Sequence, residues 1–443
     1  FDAMAKRGLD VADVLVWHST GGDMQPGRFR TWEEWDLLNN QDITQNGRII
    51  HYDLEVSGWL SSQMGHITAL GLNDLTSMGP CPGSANCPPQ LDFASGLDIT
   101  RWAEEHGAEV IGVNHTSNWS LNQSWHGIGL TPLELPIQLG IANAKISFMA
   151  VETPGRGLGE VTMPLSRAAW QLWSDLQNSG FRIAIVGGSD NRCFQRQIGQ
   201  LRTGVLVDTG PLTFAKYLDG IRWGRTQAVY DQDTKANLDA WVGSSPNDVK
   251  HIGDTLDVGP QHQGQVLYFR AWTQLVESGL IEVLVNGEVK PNCQWNGNAG
   301  QPQYHQCQFT IGPNPGQWHR GAWVSLRAPR VQTSPIYVTW LNQHIYPSFE
   351  APCRLRKHIQ AVIDNLALNP GDPLYQYKTK YQGAQGEYTE SAINATYQDD
   401  DPFNDGYNYC VGSYPDPPPP PSGSALSHRR GSVLGALARF PSR

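Results

Sequence analysis

No apolar run in this chain reaches the ~20 residues that a bilayer-spanning helix needs, so nothing in it reads as a membrane span. Basic residues are the minority. The 32 Lys and Arg stand against 42 Asp and Glu, giving a net charge of −10 and a pI near 5.7. That balance argues against a nucleic-acid partner, because such binding is driven by neutralising phosphates. The seven cysteines include no CxxC pair, which leaves a zinc-knuckle reading without support. The chain begins at Phe1, with neither Met nor a visible leader, and reads as a processed product or a fragment.

What is present is a long and aromatic chain. Its 443 residues exceed one average domain, so two domains and a tail are expected. Cys81 and Cys87 bracket a Pro/Gly-rich loop, and Cys293 and Cys307 bracket a polar one. Both read as small disulfide-closed loops, which implies an oxidising compartment and hence a secreted or periplasmic protein; the alternative is four separate thiols. The sixteen tryptophans are scattered through the chain and read mainly as core or interface residues.

The stretch FRIAIVGGSDNR reads as a buried parallel strand, 181–186, running into two glycines and Asp190. Four other stretches share that form. VLVWHST ends near His18, IIHYDLEVSG near Glu55, GHITALGL carries His66, and EVIGVNHTSN carries His115. Imidazoles and carboxylates at strand ends form a metal-cluster pattern, because α/β folds keep their chemistry on the C-terminal rim. His51 and Asp53 alternate with Glu55 and so share its face of the strand. They read either as pocket residues or as polar packing.

Strands alternate with helices through residue 230, which predicts a parallel, barrel-like α/β domain over 1–235. The pattern then changes. Strands and an Asn286-Gly287 turn predict a small antiparallel β-sandwich over 250–345. One helix is expected within 350–370. Residues 375–443, polar, repetitive and closing on a proline run, read as a disordered tail.

The order of these motifs resembles the PHP (polymerase and histidinol phosphatase) family, specifically its carbaryl-hydrolase-like CehA/McbA branch. The matching features are the strand ending at His18, YDLEVSG, GHITALGL, the VNH strand, GSD at Asp190, and the close LDGIRWGRT. GDTLDVG and IEVLVNGEV are similar to the β-domain that follows the barrel in that branch. The resemblance implies a distorted (β/α)7 barrel, here lacking its first strand, with a divalent-metal cluster at the strand C-termini. It implies His18, Glu55, His66, His115 and Asp190 as ligands and hydrolysis of a phosphoester, or a carbamate or amide-like bond, in a small-molecule substrate. The chain departs from the family where the opening His-x-His strand is absent, where Trp17 replaces an acidic residue, and where Arg192 replaces a histidine.

A mixed imidazole and carboxylate set suits one or two ions of zinc, manganese or iron. Glu55 is positioned in the pattern to bridge ions, and Arg192 to pair with a phosphate or carboxylate on the substrate. The bland alternatives are structural histidines and Asp190 as a helix N-cap. At the level of function, the alternative is a catalytically degenerate secreted protein that binds a ligand or glycan through the sandwich and the Trp-rich loops.

Overall fold

A computed structural model describes residues 1–18, 41–56, 66–73, 95–114, 145–152, 167–189, 198–230, 237–262 without 246–247, 265–310 without 276, 321–342, 350–368 and 373–397, with a few single residues between. The chain opens on helix α1 (Asp2–Arg7), closed by Gly8 in the left-handed conformation. Strands β1 (Val11–His18), β2 (Ile43–Gln45), β3 (Arg48–Val56), β4 (Ile67–Leu70), β5 (Val110–Val113), β6 (Ile146–Glu152) and β7 (Ala184–Gly188) form the first sheet. Its order is β1-β3-β4-β5-β6-β7, with β2 hanging on β3.

This sheet corrects the expected (β/α)7-type barrel. The arc is an open half-barrel, and strand outweighs helix among the described residues. It is also mixed. β4 runs antiparallel to both β3 and β5, while β1–β3, β5–β6 and β6–β7 are parallel pairs. The reversal has a short-range cause, since only ten residues separate Val56 from Ile67, too few for a helical crossover of a dozen or more.

Both faces of the sheet are covered, which accounts for the near-continuous burial of strands such as VIGV and ITAL. On one face, Leu54, Ile67, Ile111 and Met149 pack with helices α2 (Gly96–Glu105) and α3 (Arg167–Asn178). Ser95 caps α2 through its hydroxyl, and Asp98 in the first turn accepts a hydrogen bond from the Tyr377 hydroxyl. On the other face, Ile49, Leu70, Val110, Phe148 and Val186 pack with Phe214, Leu218 and Ile221 of helix α4 (Phe214–Arg222), which Thr213 caps.

The sandwich begins earlier than the 250–345 expected. Strands β8 (Leu201–Val205) and β9 (Thr226–Tyr230), assigned by sequence to the barrel, belong to its larger sheet. That sheet also holds β12 (Thr255–Val258), β14 (Gly279–Val285), β15 (Glu288–Gly297), β17 (Ala322–Ala328), β18 (Val331–Thr333) and β19 (Ile336–Trp340). It is not wholly antiparallel, because β12 pairs parallel with β19. The smaller sheet is antiparallel, in the order β11-β10-β13-β16, from β10 (Asn237–Ser245), β11 (Asp248–His251), β13 (Val266–Gln274) and β16 (Pro302–Thr310). Phe269, Leu267 and Val242 of the small sheet meet Ile281, Val324 and Val338 of the large one in a single core. The Cys293–Cys307 disulfide ties β15 to β16 and so staples the two sheets.

Two contacts lock the halves together. At Gly187 an added Cβ would lie 2.5 Å from the Arg202 carbonyl oxygen, so only glycine lets β7 run this close to β8. The Asn286-Gly287 turn joins β14 to β15 as expected, with φ of 55° and 88°. Its tip seats on the end of α3, where the Asn178 amide donates to the Asn286 carbonyl and accepts from the Trp323 indole N–H at 2.7 Å.

The chain then forms helix α5 (Glu350–Leu368) and helix α6 (Lys378–Tyr397). The second corrects the disordered tail from 375 onward. Tyr377, Tyr381, Ala384 and Tyr388 recur at helical spacing and are buried against Leu355, Ile359 and Ile363 of α5. The expected tail beyond 397 lies outside the described residues.

Candidate functional site

The β3 alternation puts Ile49, His51, Asp53 and Glu55 on the α4 face of the sheet. Cross-strand register puts Thr68 opposite Glu55 on the same face. His66 stands just before β4, where its carbonyl accepts from the Asn114 N–H at 2.9 Å. There its Nδ1 meets Glu55 Oε1 at 3.0 Å. Both side chains are largely buried, with 8% of His66 and 16% of Glu55 exposed. The Asn114 amide donates to Thr68 Oγ1 at 2.7 Å, which fixes the end of β5 against the same pair. Asn114 and Thr68 were not singled out as site residues by sequence. Their signal was the polar alternation along GHITALGL and the VNH strand end.

Strand direction sets the rest of the arrangement. β1, β3, β5, β6 and β7 all run one way, so their C-terminal ends share an edge with the start of β4. His18 ends β1 with its backbone beside Val56. β5 and β7 end at Val113 and Gly188, two residues before His115 and Asp190 in sequence. Of the six expected site residues, the structure brings Glu55 and His66 together. The side chain of His18, and His115, Asp190 and Arg192 altogether, lie outside the described residues, as does the Cys81–Cys87 loop.

Deeper on the same face lies a second polar group. Asp13, His51 and Asp53 gather under α4, with His51 stacked on Phe214 at 3.7 Å between ring centroids. Asp53 is fully buried and accepts the Gly71 N–H at 2.7 Å. His51 Nδ1 faces Asp42 at 3.1 Å. Burial, then the neighbouring Asp53 charge and hydrogen bond, push the Asp13 carboxyl well above its ordinary value. Burial also pushes Asp53 up to about 6, against the opposing pull of His51 and the Gly71 N–H. Burial and the two carboxylates push the Tyr217 hydroxyl upward as well.

Both carboxyl values are raised on folding, so the cost is absent in acid, where both groups are protonated in either state. It grows as pH rises from the ordinary 3.8 through about 6. Asp13→Asn removes one of the two like charges. It is expected to raise stability by about 1–3 kcal/mol at about pH 8 and to change little at about pH 4. Urea denaturation at the two pH values checks this.

Comparisons with protein-family models, with curated proteins and with solved structures gave no match for this chain. The site therefore rests on its own geometry. Among the described residues no three His, Cys, Asp or Glu side chains are grouped to hold a metal ion. Glu55 and His66 do fit such an ion in donor type. With Nδ1 engaged by the carboxylate, Nε2 is the nitrogen that would face a metal, the arrangement in which a carboxylate orients a ligating histidine.

Proposed function

We propose that this chain is a metal-dependent hydrolase acting on a small-molecule phosphoester, or on a carbamate or amide-like bond. The observation that carries the reading is the Glu55–His66 pair on the sheet edge where β1, β3, β5 and β7 also end. His66 would hold the ion, of zinc, manganese or iron, through Nε2, together with His18, His115 and Asp190, with Glu55 behind it at Nδ1. A bound divalent ion of this kind supplies a water acidified toward neutral pH and polarises the scissile bond. Glu55 holds the His66 imidazole in one tautomer and orientation. Thr68 and Asn114 hold the strand ends that carry the pair. Arg192 would pair with the substrate's anionic group.

The Cys293–Cys307 disulfide supports a secreted or periplasmic setting.

The test is hydrolysis of para-nitrophenyl phosphate and of an aryl N-methylcarbamate by the full chain supplied with each of the three metals. Glu55→Gln is expected to lose about 10–100-fold in metal affinity or rate. His66→Ala is expected to lose more. Activity unchanged in both variants would refute the assignment.

A further inference from the structure

The outward face of the small sheet carries a group of side chains that the hydrolase reading does not use. Cross-strand register sets them in rows. Trp272 of β13 stands opposite Tyr304 of β16, Trp241 of β10 opposite Arg270, Arg270 opposite Gln306, and Tyr268 opposite Gln308. Alternation confirms the face, since Leu267, Phe269 and Ala271 point the other way into the core. Tyr304 is 57% exposed, and Gln306 and Gln308 are exposed beside it.

The side chains interlock. The Trp241 and Tyr304 rings lie 6.0 Å apart at 47°. The Arg270 guanidinium donates to Gln306 at 3.1 Å and sits 5.8 Å from the centre of the Tyr268 ring. With strands ~4.8 Å apart and same-face residues ~6.8 Å apart along each, the three strands offer a surface of roughly 10 by 14 Å.

We propose that this face is a binding site for an uncharged polysaccharide. The charge and chemistry of the face select that occupant. Aromatic rings offer flat apolar area to the C–H faces of pyranose rings, and planar amides and a guanidinium offer donors and acceptors to hydroxyls. In a chain of net charge −10, this face carries one guanidinium, already bonded to an amide, and one carboxylate, Asp239 opposite Trp272, with His251 Nδ1 3.5 Å from it. An anionic polymer finds no basic track here. The face lies on the sandwich, apart from the edge bearing Glu55 and His66, so it binds whether or not that edge hydrolyses anything.

The experiment is native affinity electrophoresis of the full chain through gels containing hydroxyethylcellulose, xyloglucan, arabinoxylan or galactomannan, with heparin as the anionic comparison. Wild type is expected to be retarded by at least one neutral polymer and not by heparin. Tyr304→Ala and Trp272→Ala are each expected to weaken that binding about 3- to 10-fold. Trp223→Ala, at a residue 61% exposed next to α4, serves as the control and is expected to leave it unchanged. Circular dichroism confirms that the variants fold. No retardation by any neutral polymer overturns the proposal. So does retardation that survives both substitutions, or retardation by heparin alone. Chelator treatment leaves this readout unmoved even where it abolishes hydrolysis, which separates the two sites.

Discussion

Arg354→Ala is expected to destabilise the fold by about 3–5 kcal/mol near neutral pH, because it strands a buried carboxylate. Asp175 of α3 is 2% exposed and receives two bonds from the Arg354 guanidinium, Nη2 to Oδ1 at 2.5 Å and Nε to Oδ2 at 3.1 Å. Gln171 adds a third at 3.0 Å. Burial holds the Asp175 carboxyl above its ordinary value even so, with Arg354 pulling it down. A raised folded-state value means that the ionised form carries a cost, relieved as pH falls. Without Arg354 that value rises further, so the deficit is expected to shrink as pH is lowered from about 7.5 toward about 5. Asp175→Asn combined with Arg354→Leu is expected to recover much of the loss, since no charge is then stranded. Urea midpoints of the variants at both pH values test this. An Arg354→Ala variant as stable as wild type would mean that α5 is not held to α3 by this pair.

The second large effect is expected at Trp173, again about 3–5 kcal/mol on replacement by alanine. This side chain is fully buried between the first sheet and the sandwich. Its ring lies 5.3 Å from Trp170 and 5.2 Å from Trp323, the latter edge-on. Its indole N–H donates to the Ile183 carbonyl at 3.0 Å. Trp173→Phe keeps most of the area and is expected to cost clearly less, because Gln177 also donates to that carbonyl at 2.7 Å. Removing the ring empties the seam where the Asn286-Gly287 turn meets α3. The loss is therefore expected in the unfolding of both parts of the chain, followed by circular dichroism in urea.

Local structure was readable in the sequence wherever a short-range pattern determines it. The strands at Arg48–Val56 and Ile336–Trp340, and the turn at Asn286-Gly287, fall where alternation, apolar runs and turn chemistry put them. What was not readable is non-local. An apolar strand buried on both faces gives no sign of its direction, so the sequence of the reversed β4 and the open half-barrel reads as a parallel barrel. β8 and β9 follow a helix-strand rhythm, yet they pair into the sandwich sheet through contacts such as β9 with β18, a hundred residues on. The α6 stripe is hidden by its polar surroundings, because three buried residues, Tyr381, Ala384 and Tyr388, among Gln, Glu, Thr and Gly resemble a low-complexity segment. At the site, Glu55 and His66 are both named from the sequence, but their meeting depends on the reversal of β4, which puts its start at the edge where β3 ends. The buried group under α4 surfaced in the sequence only as His51 and Asp53 beside Glu55. Asp13 joins them only through the β1–β3 register.

The most direct test of the central claim is the metal content of the purified full chain by elemental analysis, before and after chelator, beside Glu55→Gln and His66→Ala. About one or two equivalents of zinc, manganese or iron are expected, restored on reconstitution after chelation and sharply reduced in both variants. A folded wild-type chain that holds no divalent metal even after reconstitution would contradict it, as would metal content unchanged in both variants.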